Sequence, residues 1–448
     1  MERQTEYVLR TVEERGVRFV QLWFTDVLGV AKSFHITPAE LENAMEEGMT
    51  FDGSAIDGFS RVQESDVLAM PDPKTFQLLP YMTDEAPVAR VVCDIVNLDG
   101  APFEGDPRQV LRRALEKARS HGFSFFVAPE LEYFYFTNPP GTVRDGMPPT
   151  PLDNGSFFEL TTNDLATRLR RQTVVTLEDM GIPVEYSQHE DAPSQHEIDL
   201  RYTDALTMAD TVMTVRTVVK EIAAQHGILA TFMPKPLFGV QGSGMHTHMS
   251  LFEGGNNAFF DENGDHQLSD VARSFIAGLL LHAPAICAIT NQWVNSYKRL
   301  IVGYEAPVYV CWARNNRSAL IRLPPTKAGK RDSTRIEFRA PDSAANPYLA
   351  FAACLGAGLA GVEAGAELPP EAAANLYELS NEERLAEGIG SLPGSLSDAV
   401  DTMERSELVA EILGEHVFEW FVRNKRAEWA EYKAQVTPFE LRRYLTSL

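Results

Sequence analysis

Apolar and polar positions alternate along this chain in two rhythms, one helical and one of period two. The opening stretch MERQTEYVLRTVEERG repeats its apolar residues at helical spacing and predicts an amphipathic helix. VRFVQLWFTDVLGVAKSFHI then reads as two strands around a turn near Asp26 to Gly29, and Pro38 to Glu47 as a short helix. FDGSAIDGFSRVQESD is rich in Gly, Ser and Asp and is expected to be a loop, while VARVVCDIVNLDG is expected to be a strand that completes a small α+β unit near Gly100. Pro102 to Pro107 marks the boundary, because Asp106 and Pro107 suit the start of a helix with the body QVLRRALEKARSHG. Beyond it, FSFFVAPELEYFYF, IPVEYSQHE, ILATFMPKPL, SGMHTHMSLFE, VYVCWA, SALIRLP and TRIEFRA read as strands. They alternate irregularly with long helices over Thr203 to Gln225 and Ser269 to Ile289, and residues after Ala345 are mostly helical. No internal repeat and no low-complexity segment interrupts this order.

Length and composition narrow the classes. A chain of 448 residues with 44% hydrophobic positions can bury one large core and one smaller one. The most apolar run, Phe275 to Thr290, holds His282 and Pro284 and is short for a membrane span. The N-terminus lacks a basic-then-apolar leader, so the expected compartment is the cytoplasm. Cys93, Cys287, Cys311 and Cys354 lie far apart in apolar surroundings, as buried thiols do in a reducing compartment. A formal charge of -23 argues against nucleic acid or an anionic membrane as partner, and requires any phosphate ligand to sit in a local basic pocket.

Charged residues occupy strands that should have an apolar face. Side chains two apart on a strand share a face, so Glu130 pairs with Glu132, His246 with His248 and Ser250, and Arg335 with Glu337 and Arg339. Each strand alone could be the wet side of an antiparallel sheet. With Glu190 and Glu197 of HEDAPSQHE, the chain offers five carboxylates and an imidazole able to converge, a set that suits Mg²⁺ or Mn²⁺ rather than zinc. Arg299, Arg314, Arg317 and Arg322, followed by Arg335 and Arg339, could fork onto carboxylates and phosphates. Neither a Walker A motif nor a GxGxxG turn before a helix occurs.

These residues sit in motifs that resemble class I glutamine synthetases of the alpha form: FDGSxI, PELEYF, QHE followed by QHE, FMPKPLFGVQGSGMH, NSYKRL, GYEAP, IRLP and RIEFRAPDSAANPYL. The resemblance implies an α+β fold, with a small β-grasp-like domain over residues 1–101. A catalytic domain follows over residues 107–448, with an antiparallel, partly closed sheet flanked by helices. It implies one divalent metal held by Glu132, Glu190 and Glu197 and a second held by Glu130, His246 and Glu337. Arg299 and Arg339 would take the carboxylates of L-glutamate, Gly242 with Gln241 its amino end, and Arg317 and Arg322 the phosphates. His248, Ser250 and Arg335 would bind ATP, Glu305 would close a flap, and Asp52 of a neighbouring subunit would take a proton from ammonium. A homo-oligomer of two stacked hexamers is the expected assembly, and γ-glutamyl phosphate the expected intermediate.

Departures from the family pattern cluster at the amine end. Ala55 and Phe157 replace a serine and a tyrosine, Gln241 replaces an asparagine, Val302 a flap proline, and Trp293 stands in an altered TNQWVNSYKRL. Two substrates follow from this: ammonia, with the changes as drift, or a polyamine or monoamine such as putrescine, spermidine or ethanolamine. A catalytically inactive scaffold is the third reading, opposed by the six intact ligand positions. Tyr377 and Arg61 resemble regulatory positions of the family.

Overall fold

A computed structural model describes the chain except for residues 1, 55, 60–65, 83–85, 139–140, 142–147, 161–163, 315, 317, 327–328 and 373–379, and except for the side chains of Glu2, Asn381 and Leu385. Two sheets organise it. In the N-terminal sheet the strands run in the order Ala31–Ile36, Phe19–Thr25, Val88–Val96, Asp66–Pro71, Met49–Asp52, with Gln77–Leu78 also on Val88–Val96. Phe19–Thr25 and Val88–Val96 are parallel, and the other pairs are antiparallel. Strand pairing extends into both ends of the glycine- and serine-rich stretch read as a loop, since Met49–Asp52 pairs with Asp66–Pro71. Val20, Leu22, Phe24, Val91 and Ile95 fill the core of this sheet with Val8 and Val12 of the first helix, Glu2–Glu14.

The second sheet runs Gly390–Ser391, Tyr309–Ala313, Ala319–Arg322, Ile336–Phe338, Met245–Glu253, Phe123–Phe136, Gln195–Leu200, Val184–His189. Its pairs are antiparallel except Tyr309–Ala313 with Ala319–Arg322. Both faces of Phe123–Phe136 are covered after Glu130, so the wet-face reading of PELEYFYF fails: Glu132 is buried along with the apolar residues around it. Leu131 and Tyr133, on the opposite face, belong to the main apolar core.

Helices Asp270–Thr290 and Pro347–Ala364 are long and apolar enough to cross a membrane, which the sequence reading did not expect. Both lie mostly inside the core. They cross closely because glycines meet: a Cβ on Gly278 would come within 2.4 Å of the Ala357 carbonyl oxygen, and one on Gly361 within 2.1 Å of the Ser274 carbonyl oxygen. Ser269 proves to be the cap of the first of these helices, and Asp204 the cap of Ala205–Gln225, each accepting from a backbone N–H three residues on.

Several contacts join the N-terminal sheet to the rest, Gln77 donating to the Met180 carbonyl and Arg90 to Thr214 among them, and two are more extensive. The turn between its first two strands reaches the large sheet's side, where the Asn346 amide donates to the carbonyls of Asp26 and Val27 and Gln292 donates to Leu28. Gly29 is required here, because a Cβ would stand 2.9 Å from the Asn346 Cα and its φ is +79°. The second contact is ionic. Arg108, on the helix Pro107–Ser120, meets Asp72 at 3.0 Å, Asp94 at 2.6 Å and Asp210 at 2.9 Å, and Tyr348 donates to Asp210.

Candidate active site

Members of each same-face set in the sequence, Glu130 with Glu132, His246 and Arg339, converge on a cavity of about 170 Å³. Glu130 and Glu132 reach it from Phe123–Phe136, Glu197 from Gln195–Leu200, His246 from Met245–Glu253, and Glu190 from the turn after Val184–His189. Adjacent strands explain the convergence: Glu130 is in register with His246 on one side, and Glu132 with Glu197 on the other. Glu337 is fully buried and not itself on the lining, but it is bound by Arg322 Nε and Arg339 Nη1, and both arginines line the cavity. His246 Nδ1 stands 3.0 Å from Glu130, 3.8 Å from Glu132 and 3.9 Å from Glu337.

The charges here are unbalanced. Burial, then the neighbouring Glu132 charge, pushes Glu190 up to about 9. Burial, then Asp199 and Glu132, pushes Glu197 well above the carboxylate range. Glu130 goes the other way, since hydrogen bonds from His246 and His248 outweigh its burial. Burial raises Glu337 too, but Arg339 overrides it and the carboxyl is lowered. Carboxylates packed until some must take up protons form a seat for a cation. Glu130, His246 and Glu337 each place a ligand atom within 4.8 Å of the others, an arrangement that fits an oxygen-seeking divalent ion with one nitrogen ligand.

Arg299 and Arg339 line the same cavity, both nearly buried. Arg299 Nη1 donates to the Ala340 carbonyl at 2.7 Å and Nη2 to that of Arg339 at 3.2 Å, which fixes the guanidinium plane. Gly242 lines it beside Gln241, whose amide donates to Asp191 at 2.6 Å. Side chains at Gly242 and Gly244 are excluded, the first by the Pro234 carbonyl at 2.1 Å and the second by Arg299 Nη2 at 2.7 Å. Tyr304 and Glu305 close one side, with Glu305 at φ 56°, a conformation that costs a non-glycine residue about 1 kcal/mol or more. Phe157 and Phe158 also line it, ring centroids 4.1 Å apart.

A second cavity, about 520 Å³, is lined by His248, Ser250, Arg322 and Arg335. Glu130, Tyr186 and Arg322 line both, so the two spaces share a wall. Asp52 ends its strand in the N-terminal sheet, is exposed, and lines neither cavity. Ala55, Arg61, Arg317 and Tyr377 lie outside the described residues. Trp293 packs: its indole donates to the Ala344 carbonyl and Lys425 Nζ sits 3.9 Å from its ring centre. Val302 is exposed, and Arg314, also exposed, pairs with Glu371.

Sequence reasoning missed Gln188, Gln195 and a buried network behind them. Gln188 donates to Glu190 and Glu197, and Gln195 to Glu132 and the Gly242 carbonyl. The two-residue spacing that paired the acids also pairs Gln188 with Glu190 and Gln195 with Glu197. Behind these strands, Asp153 lies 2.8 Å from His189 Nε2 and 3.3 Å from His196 Nε2. The other ring nitrogens are engaged as well, by the Glu190 carbonyl and Arg170. The burial of His189 would lower it, but its bonds to Asp153 and Glu190 prevail and raise it; burial pushes His196 down to about 4. This trio braces the strand ends that carry Glu190 and Glu197.

Comparison with known proteins agrees over the whole chain. A family model described as "Glutamine synthetase, beta-Grasp domain" matches residues 16–98, and one described as "Glutamine synthetase, catalytic domain" matches 104–444. A glutamine synthetase of Mycolicibacterium smegmatis is 57% identical over 448 residues, all of both chains. One of Methanosarcina mazei is 49% identical over 444 residues, covering 99% of this chain and 98% of that one. A solved structure titled "GmaS/ADP complex-Conformation 1" superposes with a TM-score of 0.87 at 32% identity, covering 98% of this chain and 99% of that one. With its small and large sheets, its acid-lined cavity and these matches, the chain belongs to the glutamine synthetase family.

Proposed function

We propose that this protein is an ATP-dependent ligase that joins ammonia to the γ-carboxylate of L-glutamate. The observation that carries this reading is the wall shared by the two cavities. Glu130 and Arg322 face both, so a phosphoryl group entering from one side meets a carboxylate held on the other. The larger cavity takes ATP, with His248, Ser250 and Arg335 on its lining. The smaller takes glutamate, its carboxylates on Arg299 and Arg339 and its amino end beside Gly242 and Gln241.

Glu132, Glu190 and Glu197 would hold one Mg²⁺ or Mn²⁺ ion, and Glu130, His246 and Glu337 another. Such ions, when bound, screen the phosphate charge and align the transferring group. Around them, Arg322 and Arg339 stabilise the equatorial oxygens as a γ-carboxylate oxygen bonds to the terminal phosphorus and ADP leaves. The activation is required because an oxide ion cannot be expelled by an amine, whereas phosphate can. Ammonia then attacks the acyl carbon, phosphate departs, and Asp52 of a neighbouring copy takes the proton that ammonium gives up. The exposure of Asp52 and its place outside both cavities of its own chain support that arrangement and a ring assembly, with two stacked hexamers as the family form. Glu305 and Tyr304 close the glutamate side and keep water from the acyl phosphate. Arg317 belongs to the same proposal as a phosphate ligand, and the cytoplasm is its compartment.

One observation favours an organic amine as a second reading. Phe157 and Phe158 give the cavity an aromatic wall, suited to an alkylammonium face. Phosphate release with glutamate, ATP and Mg²⁺ or Mn²⁺, measured with ammonium, methylamine, ethanolamine, putrescine and spermidine and with products weighed, separates the readings. Glutamine as the dominant product supports the first, and a γ-glutamylamine the second. No turnover with any amine or metal would leave an inactive scaffold.

A further inference from the structure

Lys235 lies beside the smaller cavity without lining it, in the motif FMPKPLFGVQGSGMH. It is 9% exposed, and no ion pair joins it to a carboxylate among the described residues. Its ammonium instead donates to the Val240 carbonyl and stands 4.0 Å from the centre of the Tyr304 ring. Its backbone is pinned separately: the N–H donates to Asn295 Oδ1 at 2.7 Å, and its carbonyl accepts from Asn295 Nδ2 at 3.1 Å. Asn295 immediately precedes the short helix Ser296–Arg299, whose last residue is the buried arginine of the cavity. A cation buried near Arg299 is unfavourable by charge, and both burial and Arg299 lower it, to about 8. An apolar side chain would fill this space at no such cost, so the ammonium is kept for the two groups it joins.

Those groups stand on different walls. Val240 leads directly into Gln241 and Gly242, and Tyr304 into Glu305, and all four of Gln241, Gly242, Tyr304 and Glu305 line the cavity. We propose that Lys235 is a positioning residue that clamps the loop carrying Gln241 and Gly242 to the flap carrying Tyr304 and Glu305, and so closes the glutamate side of the site. The proposal deepens the ligase reading. A flap held by a cation–aromatic contact can release product, because the contact is strong enough to bias closure and weak enough to open.

The test compares Lys235→Met, which keeps the aliphatic stem, with Lys235→Arg, which keeps the charge and a donor. In K235M the KM for glutamate rises about tenfold, the loss expected when a carbonyl bond and a cation–π contact go together. The KM for ATP and the affinity for Mn²⁺ stay unchanged, and glutamate-dependent phosphate release without any amine rises relative to amide formation. K235R restores both glutamate KM and coupling. Tyr304→Leu causes less further loss in the K235M background than in the wild type, because the contact is already broken. Wild-type KM and coupling in K235M would overturn the clamp, as would K235R behaving like K235M. Hydrogen exchange of the 300–306 amides, measured without substrates, tests the same contact independently of chemistry. Faster exchange in K235M supports the clamp even in a protein that fails to release phosphate, and unchanged exchange overturns it even in an active ligase.

Discussion

Two clusters of buried charge in this molecule solve opposite problems. At the junction of the two sheets, Arg108 meets Asp72, Asp94 and Asp210, Arg112 adds a second cation to Asp72 and Asp94, and Tyr348 completes Asp210. The set closes on itself, and Arg108 is raised because its carboxylates outweigh its burial. Every acid of that set touches an arginine, whereas in the cavity of the large sheet Glu190 and Glu197 pair with no arginine or lysine among the described residues and are driven toward the protonated form. A closed cluster joins structural parts. An open one is completed by what binds to it.

Breaking the closed cluster should give the largest loss of stability. Arg108→Leu leaves three acids short of a cation in a buried place and is expected to cost about 3–5 kcal/mol in denaturant unfolding. In the protein that remains folded, the glutamate KM should be unchanged. Equal loss of stability and of glutamate binding would merge the two clusters into one.

Glu190→Gln should do the reverse. Turnover and Mn²⁺ affinity fall on the order of 100-fold, as for loss of a group that holds a metal or its ligands. Stability of the metal-free protein holds or improves, since the charge removed is one that burial already opposes. The sign follows from the shift. A carboxyl raised from 4.5 to about 9 contributes stability that is fully present below pH 4.5 and is lost as pH rises toward 9. Metal-free wild type should therefore lose stability across that window, E190Q should lose less, and Mn²⁺ should raise the melting temperature most at the alkaline end. A flat profile for both proteins would contradict the open-cluster view.

The smallest effect belongs to the amine end. Phe157→Tyr adds a hydroxyl to the aromatic wall and should lower the KM for ammonium by about 5-fold, the worth of one hydrogen bond near 1 kcal/mol, while the KM for an alkylamine rises. Parallel movement of both would remove Phe157 as a determinant of the amine.

How legible each cluster was in the sequence follows from its spacing. Glu130 with Glu132, His246 with His248, and Arg335 with Glu337 and Arg339 are two apart, so strand geometry alone set them on common faces. Register then brought Glu130 opposite His246, a step that the pattern does not encode. The closed cluster was invisible, because Asp72 follows a strand, Asp94 is on a second strand, and Arg108 and Asp210 are on two helices, with no short spacing to link them. The same holds for Asp153 with His189 and His196, and for Lys235, whose partners are a backbone carbonyl and a ring. Strand limits also shifted where pairing overrode composition, as at Met49–Asp52 and Asp66–Pro71 in a stretch that reads as loop.

The central claim is that a glutamate carboxylate is activated by phosphoryl transfer across the wall shared by the two cavities. Glutamate carrying a heavy oxygen isotope in its γ-carboxylate tests it most directly, with ATP, Mg²⁺ and ammonium present and the released phosphate weighed. The account predicts that each phosphate released carries one labelled oxygen from glutamate and that glutamine forms in equal amount. Phosphate released without label would mean that water, not glutamate, receives the phosphoryl group, and would contradict it.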